Sequence, residues 1–470
     1  MFVFLGLIII VIGLIHFYLW KRLVRDPLRP GRLRKLGGWA AVLLALLVPA
    51  TLIGTRLGLE WLAWPGFLWI ALMFYLLVTL AALEIPRLII NRWISASEKR
   101  KSNSSEAAHL VGATATAATQ DGTATRDSTT ARDDATARDD ATARDSTTAQ
   151  DSTTARDDAA TRDSSTARDS AAARGAASRG SADAAGVGGA EVPGQQAGIE
   201  RRLLLARGAA IFAGLTAASI TGYGVKTALG PPQLDRVLFP LAKLPRAMDG
   251  TRLAVVSDIH LGPLTSLRHT TRIVELINSV NADIVCIVGD LVDGSVAELG
   301  RFAAPLAGIR SRRGAYFVTG NHEYYSGHQE WIAEVARLGV RPLRNERLEL
   351  GGLDLAGVND LGGVDFGDGP DLQRALGDRD PARPVVLMAH QPVVAYDAAP
   401  FGVDLQVSGH THGGQMAPFN LLVPLQQPVV SGLGDVDGVP VYVTNGAGFW
   451  GPPVRVGAPP QVTVIELRTP

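Results

Sequence analysis

The stretch Leu-Ala-Val-Val-Ser, residues 253–257, is followed directly by Asp258, Ile259 and His260. A short run of apolar and β-branched residues is typical of a buried strand. This strand would end next to a carboxylate and an imidazole. The same pattern, in which a short apolar run leads into carboxylate, amide or imidazole side chains, recurs four times further along the chain.

These four later runs end in side chains of the same chemical types. They are residues 284–289 before Asp290 and Asp293, residues 315–320 before Asn321, His322 and Glu323, residues 385–389 before His390, and residues 405–409 before His410 and His412. Helical stretches separate the apolar runs beyond Leu234, which indicates an α/β fold with a sheet flanked by helices. Because ligands bind at the carboxyl ends of strands in α/β sheets, we expect these side chains to converge at one rim.

The chemistry of these side chains favours a metal site. Carboxylates, imidazoles and one amide suit Mn, Fe or Zn better than copper, and the set is too rich in nitrogen for calcium. Five of the nine histidines lie in these motifs. A single histidine at a strand end is usually structural, but five strand ends with the same chemistry indicate a shared function.

Composition excludes several other classes of protein. The 45 Lys and Arg residues balance 45 Asp and Glu residues, so no nucleic-acid partner is expected. The single cysteine, Cys286, excludes an internal disulfide and a cysteine-based zinc cluster. Its position within an apolar run predicts a small core residue.

The series Asp258-x-His260, Gly289-Asp290-x-x-Asp293, Gly320-Asn321-His322-Glu323, His390 and Gly409-His410-Thr411-His412 resembles the calcineurin-like metallophosphoesterase superfamily. The resemblance covers about half of the chain, from Thr251 to the C-terminus. Residues 413–415 and 451–455 are similar to its bacterial membrane-associated branch. The resemblance implies a four-layer αββα sandwich with a two-metal site.

By this resemblance, seven residues hold two divalent metal ions, Mn, Fe or Zn. The first ion would be held by Asp258, His260 and His412, and the second by Asn321, His390 and His410, with Asp290 bridging the two. Two such ions can share a water, lower its pKa and hold the hydroxide in line with a phosphorus atom. The two ions outweigh two aspartates and one hydroxide in charge, so the site would attract a phosphate ester.

Three further residues have expected roles beside the metals. His322 would donate a proton to the leaving group. Many relatives place an aspartate after this histidine to orient it, whereas this chain has Glu323, which leaves that role open. Asp293 is expected to hold a ligand histidine or the turn, with a surface turn residue as the alternative. Arg455 would either contact a phosphate or lie in a solvated loop, and the many Gly and Pro residues after Gly446 predict an ordered loop near the site.

The expected activity is therefore hydrolysis of a phosphomonoester, phosphodiester or pyrophosphate by attack of a metal-bridging hydroxide. The alternative is a catalytically silent metal-binding sensor or scaffold for a phosphorylated envelope ligand. The retained His322 argues against that alternative, because a binding protein would not need a proton donor. A transporter is disfavoured, because the apolar segments contain few ionisable residues beyond His16.

The N-terminal region, residues 1–101, is expected to cross a membrane. Residues 2–20, 39–53 and 62–83 are almost wholly apolar, and tryptophans lie near their ends. Basic residues crowd the first loop and follow the third run, whereas the second loop carries only Arg56. Because basic loops stay on the cytoplasmic side, we expect the N-terminus outside and residue 100 inside.

Residues 102–200 are expected to form a disordered linker. A six-residue repeat runs from Thr125 to Ala172, and no aliphatic residue larger than alanine occurs between Gly112 and Gly186. Such a segment cannot bury enough apolar surface to offset its chain entropy. A cytoplasmic linker is the main interpretation, and a functional binding tract is the alternative.

Residues 201–233 are expected to export the domain at 234–470. The run from Gly208 to Gly224 is a weaker membrane segment, and the preceding Arg201-Arg202 pair resembles a twin-arginine signal anchor. Either interpretation places the domain on the extracytoplasmic side of a multi-pass cell-membrane protein; a run that only packs on the membrane surface would not. Membrane lipids and a phosphate-ester substrate, lipid-linked or envelope-derived, are the expected partners.

Overall fold

The computed structural model describes residues 2–117 and 193–470. The chain divides into two compact units, one formed by Met1–Ile90 with Pro193–Pro470 and the other by Asn91–Val192. The first unit contains apolar helices and two β-sheets, and it carries every side chain proposed for the site. In the second unit the described residues form a helix that ends at Ala117.

Four long helices precede the sheets in the described part of the chain. They are α1 (Phe2–Trp20), α2 (Arg32–Gly54), α3 (Ala63–Ala117) and α4 (Pro193–Ala228). Together with short helical segments next to three of them, these helices form four segments long and apolar enough to cross a membrane, namely Gly6–Arg25, Arg32–Leu57, Glu60–Ile90 and Glu200–Ala228. The prediction of about four apolar membrane helices is confirmed.

Helices extend into both ends of the segment predicted as a linker, residues 102–200. The helix α3 continues to Ala117, and α4 already begins at Pro193. The six-residue repeat lies outside the described residues. The proposed domain boundaries therefore stay predictions.

The remaining chain forms two six-stranded sheets. Sheet I has the order β1 (Gln233–Pro240), β12 (Gln461–Arg468), β2 (Thr251–Val256), β3 (Ile284–Val288), β4 (Ala315–Val318) and β5 (Arg341–Pro342). Sheet II has the order β10 (Gly432–Val436), β11 (Val439–Val443), β9 (Leu405–Ser408), β8 (Val385–Met388), β7 (Asp354–Gly357) and β6 (Glu346–Glu349). All five apolar runs singled out in the sequence form strands.

Alternating side chains of the strands build the layers. Leu253 and Val255 of β2 pack in one core with residues of sheet II such as Val386. Their neighbours Ala254 and Val256 pack on the opposite side in a second core. Each buried valine or leucine contributes about 1.5–3 kcal/mol to the free energy of unfolding. This alternation means that both faces of sheet I are covered.

Helices cover the outer face of each sheet. Sheet I packs against α5 (Leu267–Ser279), α6 (Val296–Ala303) and α8 (His328–Arg337). Sheet II packs against the shorter helices α9 (Leu372–Leu376) and α10 (Ala395–Ala398). The order helices, sheet, sheet, helices is the expected αββα sandwich. Cys286 lies in the core between the sheets, as predicted, and burial raises the pKa of its thiol to about 12.

The parallel strands bring the motifs to one rim. The strands β2, β3 and β4 run parallel in sheet I, and β7, β8 and β9 run parallel in sheet II. Each of the five motif strands ends two or three residues before its first metal-site residue. The carboxyl ends of both sheets therefore supply the side chains of the candidate site.

Candidate metal centre

The backbone at this rim is unusual. The angle φ lies between 47° and 71° at five of the seven ligands predicted from sequence, namely Asp258, His260, Asp290, His410 and His412. A non-glycine residue in this left-handed region costs about 1–3 kcal/mol. Such conformations persist only where the surrounding structure fixes them, and they concentrate at functional sites. The turns thus aim consecutive motif side chains at the rim instead of continuing each strand.

Glycines before the motifs allow the loops to approach closely. Gly289 has a φ of 75°, and a Cβ there would lie 2.7 Å from the Gly320 nitrogen and from His390 Nδ1. A larger residue would push the loops after β3 and β4 apart. Gly289 is therefore needed for the packing of the loops that carry Asp290 and Asn321.

One group of donors comprises Asp258, His260 and His412. The Nε2 atoms of the two histidines lie 3.0 Å apart, and His412 Nε2 lies 3.4 Å from Asp258 Oδ1. All three residues are buried. Ser257 Oγ donates a hydrogen bond to Asp258 Oδ2, and the His410 nitrogen donates to the same carboxylate at 3.1 Å. Asp258 is therefore held in place by its own loop and by sheet II.

A second group comprises Asp290, His390 and His410. His390 Nε2 lies 3.0 Å from Asp290 Oδ2 and 3.3 Å from His410 Nδ1. His390 Nδ1 donates to the Val288 carbonyl at 2.8 Å, which orients its ring. Asp290 Oδ2 is also 3.8 Å from His260 Nε2, so the Asp290 carboxylate lies between the two groups.

Asn321 supplies an independent test of whether this rim fits a metal. It begins α7 (Asn321–Ser326), and its side-chain oxygen Oδ1 is buried without a hydrogen-bond partner. A buried acceptor without a partner costs about 1–3 kcal/mol unless a ligand satisfies it. An amide oxygen, two carboxylates and four imidazoles suit Mn, Fe or Zn, so the residues present fit divalent metal ions.

The electrostatics of the rim divide its four ligand histidines into two pairs, one with lowered and one with raised pKa values. Burial lowers the pKa of His410 to about 3, and the charge of His390 acts in the same direction. Burial and then His260 likewise lower the pKa of His412 well below its usual range. Burial alone would raise the pKa of Asp290, but His390 holds it well below its usual range. Burial would lower the pKa of His260 and of His390, but Asp293 raises that of His260 to about 9 and Asp290 raises that of His390 well above its usual range. A metal ion binds the neutral imidazole, so metal binding at these two histidines would release protons.

Asp293 joins His260 to His322. Its Oδ1 atom accepts from His260 Nδ1 at 2.8 Å and lies 2.7 Å from His322 Nδ1. Because a carboxylate only accepts, both rings place their protons on Nδ1 and leave Nε2 directed elsewhere. Burial would raise the pKa of Asp293, but His260 and then His322 lower it to about 2. Asp293 therefore contacts a predicted ligand histidine and is not a surface turn residue.

Glu323 does not orient His322 in this structure. Its carboxylate accepts from the backbone nitrogens of Asp290, Leu291 and Gly320 at 3.0, 2.7 and 2.6 Å. It is fully buried, and burial, followed by the charge of Asp290, raises its pKa to about 8. The longer side chain thus fastens the Asp290 loop to α7, and Asp293 contacts His322 instead.

The position of Arg455 shows that both interpretations drawn from the sequence are wrong. It is fully buried, so it is neither a solvated loop residue nor free to contact a phosphate. Its guanidinium donates to the carbonyls of Gly448, Asn445 and His412, and Nη2 lies 3.1 Å from His412 Nδ1. These acceptors come from two loops, the one after β9 and the one after β11, which Arg455 holds together at the rim. Nothing in the local sequence distinguishes this arginine from an exposed one.

The loop after Gly446 lies at the site, as predicted. The nitrogens of Ala447 and Gly448 donate to the carbonyls of Ser257 and Asp258 at 2.9 and 2.8 Å. The exposed Trp450 in the same loop has its ring centroid 6.1 Å from that of His322. Sequence reasoning did not single out this tryptophan, which forms part of the site's outer edge.

Comparisons with known proteins agree with this geometry. Residues 251–414 match the family model described as calcineurin-like phosphoesterase. A "Transmembrane protein with metallophosphoesterase domain" from Danio rerio is 38% identical over 273 residues, which cover 55% of this chain and 62% of that protein. An "Uncharacterized metallophosphoesterase" from Helicobacter pylori (strain J99) is 36% identical over 255 residues, covering 53% of this chain and 68% of the relative.

A solved structure titled as a dimetal phosphatase from Danio rerio superposes on this chain with 12% sequence identity and a TM-score of 0.33. The superposed region covers 47% of this chain and 93% of the phosphatase. The matches span about three fifths of the vertebrate relatives, 62% in Danio rerio and 59% in Bos taurus.

The sandwich, the donor groups at its rim and the family match define a metallophosphoesterase. The chain belongs to the calcineurin-like phosphoesterase family, whose members bind divalent metals and hydrolyse phosphoesters.

Proposed function

We propose that this protein is a membrane-anchored phosphoesterase with two divalent metal ions. The observation that supports it best is the pair of donor groups that meet at Asp290, with the unpartnered Asn321 oxygen beside them. One ion would be held by Asp258, His260 and His412, the other by Asn321, His390 and His410, and Asp290 would contact both. When bound, the ions would polarise the phosphoryl group and lower the pKa of a water.

The chain's own catalytic residue in this proposal is His322. Asp293 holds its Nδ1 proton, so Nε2 is the atom that carries the transferable proton. The His322 ring lies at right angles to the His260 ring, with centroids 4.7 Å apart. His322 is thus close to the metal centre and suited to protonate the departing oxygen of the ester.

The substrate would be a phosphomonoester, phosphodiester or pyrophosphate. A lipid-linked or envelope compound is favoured because the same compact unit contains membrane-spanning candidates and the catalytic rim. The metals would be Mn, Fe or Zn. We place the domain at 234–470 on the extracytoplasmic side of a multi-pass protein, because basic residues precede α4 and follow the third apolar run.

The decisive experiment compares two histidine variants of the full-length protein in detergent. His322→Asn is expected to keep both metals but to lose about 100-fold or more in turnover of alkyl phosphates, whose leaving groups need a proton. Nitrophenyl phosphate, with its better leaving group, should lose less. His328→Asn is the matched control, because His328 packs on Tyr324 and Phe366 instead of on the donor groups.

The outcomes separate this proposal from its alternative. Bound metals with turnover that depends on His322 would support the enzyme. Bound metals without turnover of any nitrophenyl phosphate ester would favour a silent sensor or scaffold. Equal losses in the His322 and His328 variants would contradict the role proposed for His322.

A further inference from the structure

The catalytic rim lies on the edge of the sandwich that the chain enters from α4. The first strand, β1, begins at Gln233, shortly after α4 ends at Ala228. Gln233 pairs with Gln461, and two residues later in β12 Thr463 lies opposite Val255, near the end of β2. The beginning of β1 is therefore at the same edge as the end of β2, where Asp258 follows. The site lies on the side of the domain nearest the apolar helices.

Loops next to the site contact α4 within its apolar span. The Arg455 nitrogen donates to the Gly224 carbonyl at 3.0 Å, and Gly224 belongs to the span Glu200–Ala228. A side chain at Gly224 would collide with Val454 and Val456. Val454 packs in one apolar cluster with residues of three of the long helices, including Tyr75 of α3. The contact is thus with the membrane-spanning part of the helix and not only with its end.

The depth of this contact can be judged from the helix rise. Ala417 and Pro418 line a cleft with Ser219 and Ile220 of α4. From residue 219 to the end of the helix at residue 228 is about 13 Å at 1.5 Å per residue. The same cleft is lined by Tyr75, Val78 and Thr79, which lie near the middle of the span Glu60–Ile90, so Ala417 and Pro418 lie beside the apolar parts of two candidate spans.

The segment that follows this contact has the composition of a membrane-immersed loop. Residues 413–434 include no Asp, Glu, Lys, Arg or His. We call residues 416–425 the apolar loop; it contains two short turns, Phe419–Leu421 and Val423–Leu425. Phe419, Leu421, Leu422 and Leu425 are exposed, Leu421 by 71% and Leu425 by 84%. Four large apolar side chains exposed within seven residues form a patch that a water-soluble surface seldom carries.

The apolar loop is connected to the catalytic rim. Gln415, directly before it, donates to the Trp450 carbonyl at 2.9 Å and accepts from the Trp450 nitrogen at 3.0 Å. Trp450 is 57% exposed, and its ring lies beside His322. Tryptophan is favoured at the boundary between hydrocarbon and headgroups. Gln415 therefore links the apolar loop to the loop that carries Trp450, beside the proposed proton donor.

We propose that the apolar loop is immersed in the leaflet beside the catalytic domain, and that the substrate is a phosphorylated lipid that reaches the metal centre from the bilayer. This inference rests on the proposed phosphoesterase function. The acyl chains stay against the apolar loop while the phosphate group reaches the donor rim past Trp450. A lipid surface is the occupant because the loop contacts the spanning helices themselves, at the depth of the hydrocarbon.

Immersion can be measured without knowing the substrate. Full-length protein carrying Leu425→Cys, labelled with a nitrobenzoxadiazole fluorophore, is placed in phosphatidylcholine nanodiscs containing spin-labelled lipid. Cys286 is fully buried, so the label goes to the introduced thiol. Leu238→Cys on β1 is the control, because Leu238 is 68% exposed and lies further along a strand that leads away from α4. We expect blue-shifted, quenched fluorescence at 425 and neither change at 238; equal signals at the two positions overturn the immersion.

Delivery of the substrate is tested with two probes of the same chemistry. One is the soluble nitrophenyl phosphate ester that the wild type turns over, and the other is that ester with a hexadecyl chain, embedded in the nanodisc. The wild type should have the higher kcat/KM on the alkylated ester. Leu421→Glu with Leu425→Glu should lower kcat/KM on the alkylated ester about tenfold and leave the soluble ester unaffected.

Leu238→Glu is the matched control and should change neither rate. No preference of the wild type for the alkylated ester, or an equal loss on both esters in the double variant, overturns the lipid substrate. Absence of turnover on both esters in the wild type contradicts the phosphoesterase proposal itself. In that case the fluorescence experiment still decides whether the apolar loop is immersed.

Discussion

The two sheets contribute different chemistry to one site. The loops after sheet I carry the carboxylates Asp258 and Asp290, the amide Asn321, and the histidines His260 and His322. The loops after sheet II contribute His390, His410 and His412 and no carboxylate to the donor groups. Neither sheet alone has a complete donor group of the kind proposed for either metal. Metal binding therefore depends on the packing of the two sheets against each other, and not on either sheet separately.

Substitution of Asp290 should have the largest effect on turnover and metal content, because Asp290 contacts donors from both sheets. Asp290→Asn keeps the size but removes the charge that lies between His260 and His390. We expect a loss of turnover on the order of 10³-fold and fewer than two bound metals. Assays with nitrophenyl phosphate and metal analysis of the same preparation check both effects.

Asp283→Asn is the matched control for this change. Asp283 precedes the same strand, β3, at its opposite end, where its carboxylate accepts from the Arg252 nitrogen and pairs with Arg312. Full metal content and nearly full activity in Asp290→Asn would contradict the claim that Asp290 connects the donors of the two sheets.

Substitution of Asp293 tests only the part of the site that sheet I supplies, since both histidines that Asp293 contacts lie in loops after strands of sheet I. Asp293→Asn should weaken metal affinity about 10–100-fold, because a carboxylate that accepts from a ligand histidine orients its ring. The loss should affect the ion held by His260 more than the ion held by His390. Titration with Mn, followed by calorimetry, would separate the two sites; equal weakening of both would argue against this assignment.

Several of these relations could be predicted from the sequence and others could not. The strand ends were predictable because a run such as residues 284–288 has the period and residue types of a buried strand, and Asp290 follows it. The contacts of Glu323 were not, because its partners Asp290 and Leu291 lie in another loop. Arg455 was misinterpreted for the same reason, since its burial depends on a long loop folding over His412.

The apolar loop shows another limit of sequence reasoning. Its residues read as an ordinary uncharged segment, and only the contact of Pro418 with the cleft beside α4 gives it a location. Likewise, the sequence predicts that His390 and Asp290 reach the same rim, but only tertiary packing brings His390 Nε2 within 3.0 Å of Asp290 Oδ2. Residue type and spacing predict which side chains reach an edge, whereas tertiary packing decides which of them meet.

Metal removal should lower stability, because the ions would join the two sheets. With free Mn at about 100 times the Kd of a site, each bound ion would add about 3 kcal/mol to the free energy of unfolding. Thermal melts with Mn and after chelation should therefore differ in the wild type. The difference should be smaller in His390→Ala, which removes a sheet II donor, and unchanged in His328→Asn. An unchanged difference in His390→Ala would show that the sheets are not joined through metal.

Substitution of Glu323 should have the smallest effect on metal binding and a measurable effect on the stability of the fold. Glu323→Gln replaces a carboxylate that accepts three backbone hydrogen bonds with an amide that offers one oxygen. We expect the free energy of unfolding to fall by about 1–3 kcal/mol. Metal content should stay near that of the wild type. Denaturant unfolding measures the first quantity, and a stability equal to that of the wild type would argue against the fastening role.

The number of metal ions bound to the full-length protein tests whether the two sheets together form a two-metal site. Elemental analysis of the purified chain, after incubation with Mn and removal of free metal, should find two ions per chain. A stoichiometry of one or none, in a sample whose melting curve shows that it is folded, would contradict the account of a two-metal site assembled from both sheets.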